Sequence, residues 1–194
     1  MKTVVGFLAR PHGYNALSAL VESQNFKIIK LYTHKVNPRS QDPQRSTRSD
    51  YELFVKKCAD NSIPLVCIDS KDDEIINFPE CDYIIEVSWR YIISQNIVNK
   101  ARVSAFGIHR GRLPEFAGAE PIKQALLKNE KVIVLSAHYL EKTVDTGQVI
   151  STIEFPVDYN YEKNLETNIQ TIRYQIIPLF SKLTFQTLNM LENK

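Results

Sequence analysis

Short apolar runs alternate with stretches of helical spacing along the first half of the chain. The near-continuous apolar run Thr3–Ala9 is typical of a parallel strand that is buried on both faces. Tyr14–Ser23 is predicted to be helical, and Asp50 is predicted to cap a second helix. Four more strands are predicted, at Lys27–Tyr32, Ile63–Ile68, Tyr83–Val87 and Arg102–Ile108. This alternation indicates an α/β fold with a doubly wound, mostly parallel sheet flanked by helices, as in Rossmann-like folds.

The second half of the chain has a different pattern. A helix is predicted over Ala119–Lys128, followed by two β runs at Val132–Leu140 and Gln148–Val157. A long helical pattern then covers Glu162–Glu192. Pro178 lies inside it and should kink the helix or divide it in two, because proline cannot continue a helical hydrogen-bond ladder.

Composition places the chain among ordinary globular proteins. Its 194 residues are 43% hydrophobic and 24% charged, which is enough apolar material for one sizeable core. No repeat or linker interrupts the pattern, so we expect a single domain over residues 1–194. The formal net charge of +2 is too small to indicate a nucleic-acid partner.

The three cysteines, Cys58, Cys67 and Cys81, form no Cys-x-x-Cys pair. An odd number without metal-ligand spacing is typical of reduced thiols in the cytoplasm, and no metal site is expected. No apolar run approaches the ~20 residues of a membrane span. We therefore expect a cytoplasmic protein without a membrane partner.

One loop carries a local excess of positive charge, between Pro38 and Arg48. Such runs are usually solvated surface loops. The alternative is a site for an anionic substrate or for the acidic tail of a cofactor, and the sequence leaves both interpretations open.

Ligands of open α/β sheets collect at the carboxyl ends of the strands, near the topological switch point. Arg10, His12 and Tyr14 follow the first strand and are weak candidates for substrate contact. An ordinary strand–helix turn explains them equally well. The loops to consider for chemistry are residues 10–14, 88–93, 107–118 and 141–147.

A loop rich in glycine and proline follows the fifth predicted strand and contains His109. It leads into a helix whose first turn suits Pro121. Asp145 lies in a second loop, where Asp-Thr-Gly is also simply a good turn sequence. His138 lies on the strand between these loops. It either faces the same site, where it is a weak candidate for substrate contact, or has its position only because side chains alternate along the strand.

These segments resemble the formyltransferase family, which includes the glycinamide ribonucleotide, methionyl-tRNA and sugar N-formyltransferases. The family pattern Asn-x-His-x-Ser-x-Leu-Pro, followed by an aromatic residue, a glycine and Pro-Ile, is similar to residues 107–122. Residues 145–147 match the later Asp-Thr-Gly turn. Residues 87–93 are similar to the loop that holds the folate pterin, and the resemblance is clearest over residues 82–158.

The resemblance implies that N10-formyltetrahydrofolate is the donor of a formyl group to an amine. It implies that His109 stabilises the oxyanion of the tetrahedral intermediate and helps to move a proton. Asp145 would orient the ring and favour its protonated form. The residues implied to contact the folate are Trp89, Arg90, Tyr91, Ile92 and Val144.

The sequence departs from the family pattern at the catalytic loop. Gly107 stands where the family has its catalytic asparagine, Gly111 where it has a serine, and Arg112 at a hydrophobic position. Loss of one oxyanion donor typically costs ~10²–10³ in turnover. A backbone N–H, a water or Arg110 is expected to replace the missing amide.

The predicted acceptor is a small-molecule primary amine, either an amino sugar or another small amine. The stretch Arg10–Asn15 lacks the glycine-rich loop of the glycinamide ribonucleotide enzymes, and the chain ends without the extra domain of the methionyl-tRNA enzymes. The alternatives are a non-catalytic or regulatory folate-binding protein, a formyl-folate hydrolase and a glycinamide ribonucleotide formyltransferase-like enzyme. A homodimer is left open.

Overall fold

The computed structural model describes residues 1–193 and contains two compact units. The first unit is Met1–Ala105, and the second begins at Phe106. The single domain over residues 1–194 stays a prediction. None of the helices within the described residues is both long and apolar enough to cross a bilayer.

The first unit is built from parallel strands and helices. Strand β1 pairs with β2 on one side and with β4 on the other, and β2 pairs with β3, so the order is β3-β2-β1-β4. All these pairs are parallel, as the apolar runs predict. The elements are β1 (Lys2–Leu8), α1 (Arg10–Val21), β2 (Phe26–Thr33), α2 (Tyr51–Asp60), β3 (Leu65–Cys67), β4 (Cys81–Val87) and α3 (Gln95–Val98).

Strand β1 forms the centre of the first core. Val4, Val5, Phe7 and Leu8 have no exposed surface, so side chains on both faces of the strand are buried. The Phe7 ring stacks on Tyr32 with 4.8 Å between ring centroids. Burial on both faces explains why this strand has a continuous apolar sequence rather than an alternating one.

The predicted loop over residues 10–14 is wrong, because α1 begins at Arg10 with Ala9 as its N-cap. Pro11 lies in the first turn, where its missing N–H costs nothing and its fixed φ suits the helix. The Arg-Pro-His-Gly sequence therefore starts the helix and does not form the predicted loop.

The second unit has antiparallel strands. Strand β5 (Ala101–His109) begins in the first unit and ends in the second, where it pairs with β6 (Val132–Tyr139). Strand β6 also pairs with β7 (Val149–Pro156). The helices of this unit are α4 (Pro121–Leu127), α5 (Leu165–Gln175) and α6 (Ile177–Glu192).

Pro178 divides the long C-terminal helical pattern, as predicted. It lies in the first turn of α6, while α5 ends just before it. The side chain of Asn164 caps α5 by accepting a hydrogen bond from the Thr167 N–H at 2.8 Å. Helix α6 then packs on β6 and β7 through buried apolar residues, including Phe180 and Leu183.

The register of β5 and β6 places four residues on one face of the sheet. Gly107 lies opposite His138, and His109 lies opposite Ser136. Residues directly opposed in an antiparallel pair share a face, and alternate residues of a strand do so as well. The register therefore brings both histidines to the same side of the second unit.

Candidate active site

Two histidines share one carboxylate in the second unit. His109 Nδ1 lies 3.2 Å from Asp145 Oδ2, and His138 Nε2 lies 3.5 Å from Asp145 Oδ1. His138 is 3% exposed, and the side chains of His109 and Asp145 are nearly buried. The structure therefore brings together the two predicted catalytic residues and one weak candidate for substrate contact.

The turn between β6 and β7 holds Asp145 in position. Its φ of 58° is in the left-handed region, and its Oδ2 also accepts a hydrogen bond from the Gly118 N–H at 2.9 Å. A Cβ atom at Gly147 would lie 1.8 Å from the Tyr139 carbonyl oxygen. Only glycine allows the chain to pass this close, so packing requires the glycine of the Asp-Thr-Gly turn.

Both ring nitrogens of His109 face acceptors. Nε2 lies 2.7 Å from the Phe116 carbonyl oxygen, and Nδ1 faces Asp145. Burial lowers the pKa of His109, while Asp145 and the Phe116 carbonyl raise it and the charge of Arg110 lowers it. Asp145 thus favours the protonated ring as expected, but burial has the larger effect.

The neighbouring histidine behaves in the same way. Burial lowers the pKa of His138, whose Nδ1 lies 3.0 Å from the Tyr139 carbonyl oxygen. A histidine whose pKa lies below the ordinary value is neutral at pH 7 and can accept a proton. The site therefore combines two neutral imidazoles with acceptors that would stabilise a protonated one.

Ser136 fixes the loop that follows His109. Its hydroxyl donates to the Gly111 carbonyl oxygen at 2.8 Å and accepts from the Leu113 N–H at 3.3 Å. Ser136 is not among the site residues predicted from the sequence. The one available signal was a hydroxyl in an otherwise apolar strand, since buried polar groups need partners.

Gly111 allows this loop to approach the His109 ring. A Cβ atom there would lie 2.6 Å from the Pro121 Cβ, 2.9 Å from the Phe116 carbonyl oxygen and 3.0 Å from His109 Nε2. The departure from the family serine is therefore matched to the way this loop folds.

The predicted folate-binding residues of the first unit have side chains that are largely engaged there. Trp89 stacks on His34 with 4.0 Å between ring centroids. The Tyr91 hydroxyl donates to the Asp69 carbonyl oxygen at 2.6 Å, and Arg90 donates to a backbone carbonyl of the same unit. Ile92 differs, because it is 64% exposed.

Val144 is the one predicted folate contact in the second unit, on the turn beside Asp145. It is 59% exposed. Its backbone position follows from the same turn that places the carboxylate. Folate contact stays a prediction, both for Val144 and for the four residues of the first unit.

The three weak substrate candidates of the first unit lie on α1 and have different surroundings. His12 is buried, and the Tyr14 ring packs edge-on against Phe54 at 5.4 Å. Arg10 Nη2 donates to Gln41 Oε1 at 2.7 Å, which connects it to the basic loop. This hydrogen bond links Arg10 to the loop that contains Gln41.

Residues 1–193 contain no group of three or more histidine, cysteine or acidic side chains that could hold a metal ion. Cys58, Cys67 and Cys81 are free thiols. Burial raises the pKa of Cys58 and of Cys81 to about 11, so both are protonated and unreactive at neutral pH.

Comparison with known proteins identifies the family. The sequence model of the formyl transferase family matches residues 11–180. The chain belongs to this family. This match confirms the family predicted from the sequence motifs. Because the members of this family described below are enzymes, the prediction of an enzyme is confirmed as well.

Curated relatives of this formyl transferase family member include methionyl-tRNA formyltransferases. The protein from Ehrlichia canis is 22% identical over 190 residues, which are 96% of this chain and 60% of the relative. The protein from Campylobacter jejuni is 30% identical over 159 residues, which are 79% of this chain and 50% of the relative. The matched part of the chain thus spans 60% and 50% of the length of these two relatives.

Solved structures confirm the predicted α/β formyltransferase fold. A phosphoribosylglycinamide formyltransferase from Brucella melitensis has a TM-score of 0.70 at 14% identity, covering 96% of this chain and 93% of that chain. WlaRD, a sugar 3N-formyl transferase crystallised with dTdp and 5-N-formyl-THF, has a TM-score of 0.61 at 22% identity, with coverages of 100% and 64%. A formyltetrahydrofolate deformylase from Pseudomonas syringae pv. tomato has a TM-score of 0.67 at 19% identity, with coverages of 99% and 62%.

Proposed function

We propose that this formyl transferase family member is an enzyme that moves a formyl group from N10-formyltetrahydrofolate to the primary amine of a small molecule. The observation that carries the proposal is the pair of buried histidines on Asp145 in a chain of this family. A protein that only bound folate would have no evident use for such a proton-accepting cluster.

In the proposed reaction the amine nitrogen attacks the formyl carbon, and the carbonyl oxygen becomes an oxyanion. The bond between the formyl carbon and N10 then breaks, and the proton lost by the amine is taken up by N10. The products are a formamide and tetrahydrofolate. Such proton transfers by a positioned side chain contribute typically ~10²–10⁴ in rate.

His109 is the proposed proton carrier. With its proton on Nδ1, directed at Asp145, the neutral ring has its lone pair on Nε2, which takes up the amine proton when the amine replaces the Phe116 carbonyl as the neighbour of that nitrogen. The cation formed then donates from both nitrogens, to Asp145 and to the Phe116 carbonyl. Burial favours the neutral ring before the reaction, and these two acceptors stabilise the charged ring during it.

The oxyanion needs a donor in place of the amide that Gly107 lacks. Arg110 is the proposed cation, because it follows His109 directly in the chain, and its charge also lowers the pKa of that histidine. Preorganised donors of this kind are often the largest single contribution to acyl-transfer catalysis.

An amino sugar or another small amine is the proposed acceptor. WlaRD, a sugar 3N-formyl transferase, shares the fold, and a sugar amine is consistent with that likeness. The net charge of +2 favours a small acceptor over tRNA.

Hydrolysis of the formyl-folate is the second candidate reaction, with water in the place of the amine. It is favoured by the absence of the family asparagine at Gly107 and is compatible with the fold shared with a formyltetrahydrofolate deformylase. The products would be formate and tetrahydrofolate. The same histidine–aspartate cluster would accept the proton from water.

One assay separates these candidates. The purified protein is mixed with N10-formyltetrahydrofolate and a panel of amines that includes amino sugars and their nucleotides, and tetrahydrofolate, formate and the mass of each amine are followed. A formylated amine supports the proposed transfer, whereas formate without it supports hydrolysis. Folate binding with neither product, in the wild type as in His109→Asn, would refute the enzymatic assignment.

A further inference from the structure

Three arginines act on one buried histidine in the first unit. His34 has no exposed surface. Burial, together with the smaller effect of the charges of Arg90, Arg48 and Arg10, lowers its pKa to about 3. The three residues come from α1, from the basic loop and from the segment after β4, and contacts hold all three to the chain that follows His34. The Arg48 N–H donates to the Lys35 carbonyl oxygen at 2.9 Å and Arg90 donates to the Val36 carbonyl, while Arg10 donates to Gln41.

Arg48 has the largest unmet hydrogen-bonding demand of this arginine cluster, which we define as Arg10, Arg48 and Arg90. Its side chain is 3% exposed, and its Nε donates to Asp50 Oδ1 at 2.8 Å. Both Nη1 and Nη2 are buried without a hydrogen-bond partner among the described residues. A buried, unpaired guanidinium is costly, so these donors indicate a missing acceptor.

Arg90 is in a related state. One Nη donates to the Val36 carbonyl, while its Nε is buried and has no partner within residues 1–193. Burial lowers the pKa of Arg90, and the charge of Arg48 lowers it further, so the two cations repel each other. An anion near both would remove this repulsion.

The neighbouring acids do not supply that anion. Asp50 is paired with Arg48 through Oδ1, and its Oδ2 is buried without a hydrogen-bond partner among the described residues, so this one carboxylate balances one of the three cations. The side chain of Asp69 accepts hydrogen bonds from the backbone N–H groups of Lys35 and Val36, each at 3.0 Å. Both carboxylates thus have structural roles, and positive charge remains in excess.

The basic loop is therefore only partly a solvated surface. Arg39 is exposed, whereas Arg48, from the same run, is buried. Of the two interpretations that the sequence left open, Arg48 favours the anion site. Guanidinium groups are suited to it because their forked donors match phosphate and carboxylate oxygens.

We propose that the arginine cluster is a binding site for a phosphate or carboxylate group on one of the two reactants. Arg10 and Arg90 are partly exposed and contact the anion from the solvent side. Arg48 is buried and donates hydrogen bonds to the anion through Nη1 and Nη2. The site itself stands on these contacts, whereas its assignment to a reactant rests on the proposed formyl transfer.

Titration of the full chain with inorganic phosphate, followed by calorimetry at low ionic strength, tests the site. The wild type should bind saturably, and Arg48→Gln should bind about tenfold or more weakly, as expected for a lost hydrogen bond to a charged group. Arg39→Gln removes an exposed charge of the same loop and should bind as the wild type does. Arg90→Gln provides a second test if Arg48→Gln does not fold, as judged by circular dichroism.

Absence of saturable binding to the wild type would overturn the site, as would equal weakening by Arg39→Gln and Arg48→Gln. Loss of phosphate binding in Arg48→Gln supports the site even if the protein transfers no formyl group, so the two proposals can fail separately.

Steady-state kinetics then show which of the two reactants carries the bound anionic group. KM is compared for phosphorylated and unphosphorylated forms of the amine, and for formyl-folates with one and with several glutamates. A rise in KM in Arg48→Gln, confined to the phosphorylated amine or to the polyglutamate, identifies the reactant. An unchanged KM for all four overturns its assignment to a reactant.

Discussion

Gly107 lies directly opposite His138 across the β5–β6 pair, and it shares a face with His109 two residues later. A side chain at position 107 would therefore point to the face that carries both histidines. This relationship makes position 107 the most informative place to alter the proposed oxyanion site.

Gly107→Asn is expected to raise kcat/KM, because it adds an amide donor on the face of His109. The gain should approach ~10², the usual value of one oxyanion donor. Steady-state kinetics with the formyl-folate measure it. Gly107→Ala is the matched control, since it adds a Cβ without a donor. An equal gain in both variants would show that the amide is not responsible.

Asp145→Asn is expected to reduce turnover by about 10²–10⁴, because the carboxylate orients the proton carrier and stabilises its charged form. Asp145 raises the pKa of both His109 and His138, so its loss should lower both values. NMR titration of the two imidazoles measures the change. Folate affinity should be retained in Asp145→Asn and in His109→Asn. Normal turnover in either variant would contradict the mechanism.

His34 is expected to make the protein less stable in acid. Its pKa is about 3 in the folded chain against an ordinary value of 6.5, so below pH 6.5 the unfolded chain binds the proton more readily. The free energy of unfolding should fall by about 1.4 kcal/mol per pH unit between about pH 6 and pH 4 from this residue alone. Burial lowers the pKa of His109 and His138 as well, which steepens the slope.

Urea unfolding at several pH values measures this slope. His34→Asn can preserve the hydrogen bond that the ring makes with the Ile68 carbonyl, but it cannot be protonated. Its slope should be shallower than that of the wild type. Identical slopes would show that His34 is not held neutral by burial.

Gly111→Ala is expected to cost about 1–3 kcal/mol of stability, because its Cβ would lie 2.6 Å from Pro121. Activity should fall as well, since His109 Nε2 is 3.0 Å away. Gly118→Ala separates backbone strain from crowding, because the φ of Gly118 is 83° but nothing in the described chain lies within 4 Å of the added Cβ. A stability of Gly111→Ala equal to that of the wild type would contradict the packing argument.

Much of the fold could be predicted because its signals are local. The apolar run Thr3–Ala9 corresponds to β1, and Pro178 marks the break between α5 and α6. The start of α1 at Arg10 was missed because proline and glycine also favour turns, and the choice between turn and helix depends on tertiary packing.

The site was only partly predictable for a related reason. His109 and Asp145 lie in recognisable sequence motifs, and the structure brings them together. The second histidine, His138, reaches the carboxylate through strand register, and the role of Ser136 depends on a hydrogen bond across 25 residues. The burial of Arg48 likewise arises from contacts that no local pattern encodes.

The groups proposed to carry protons all lie after Phe106, whereas the arginine cluster lies entirely within the first unit. Mutations that alter the arginine cluster would leave the bond-making residues intact. The proposed recognition of an anionic group and the proposed proton transfer can therefore change independently during evolution.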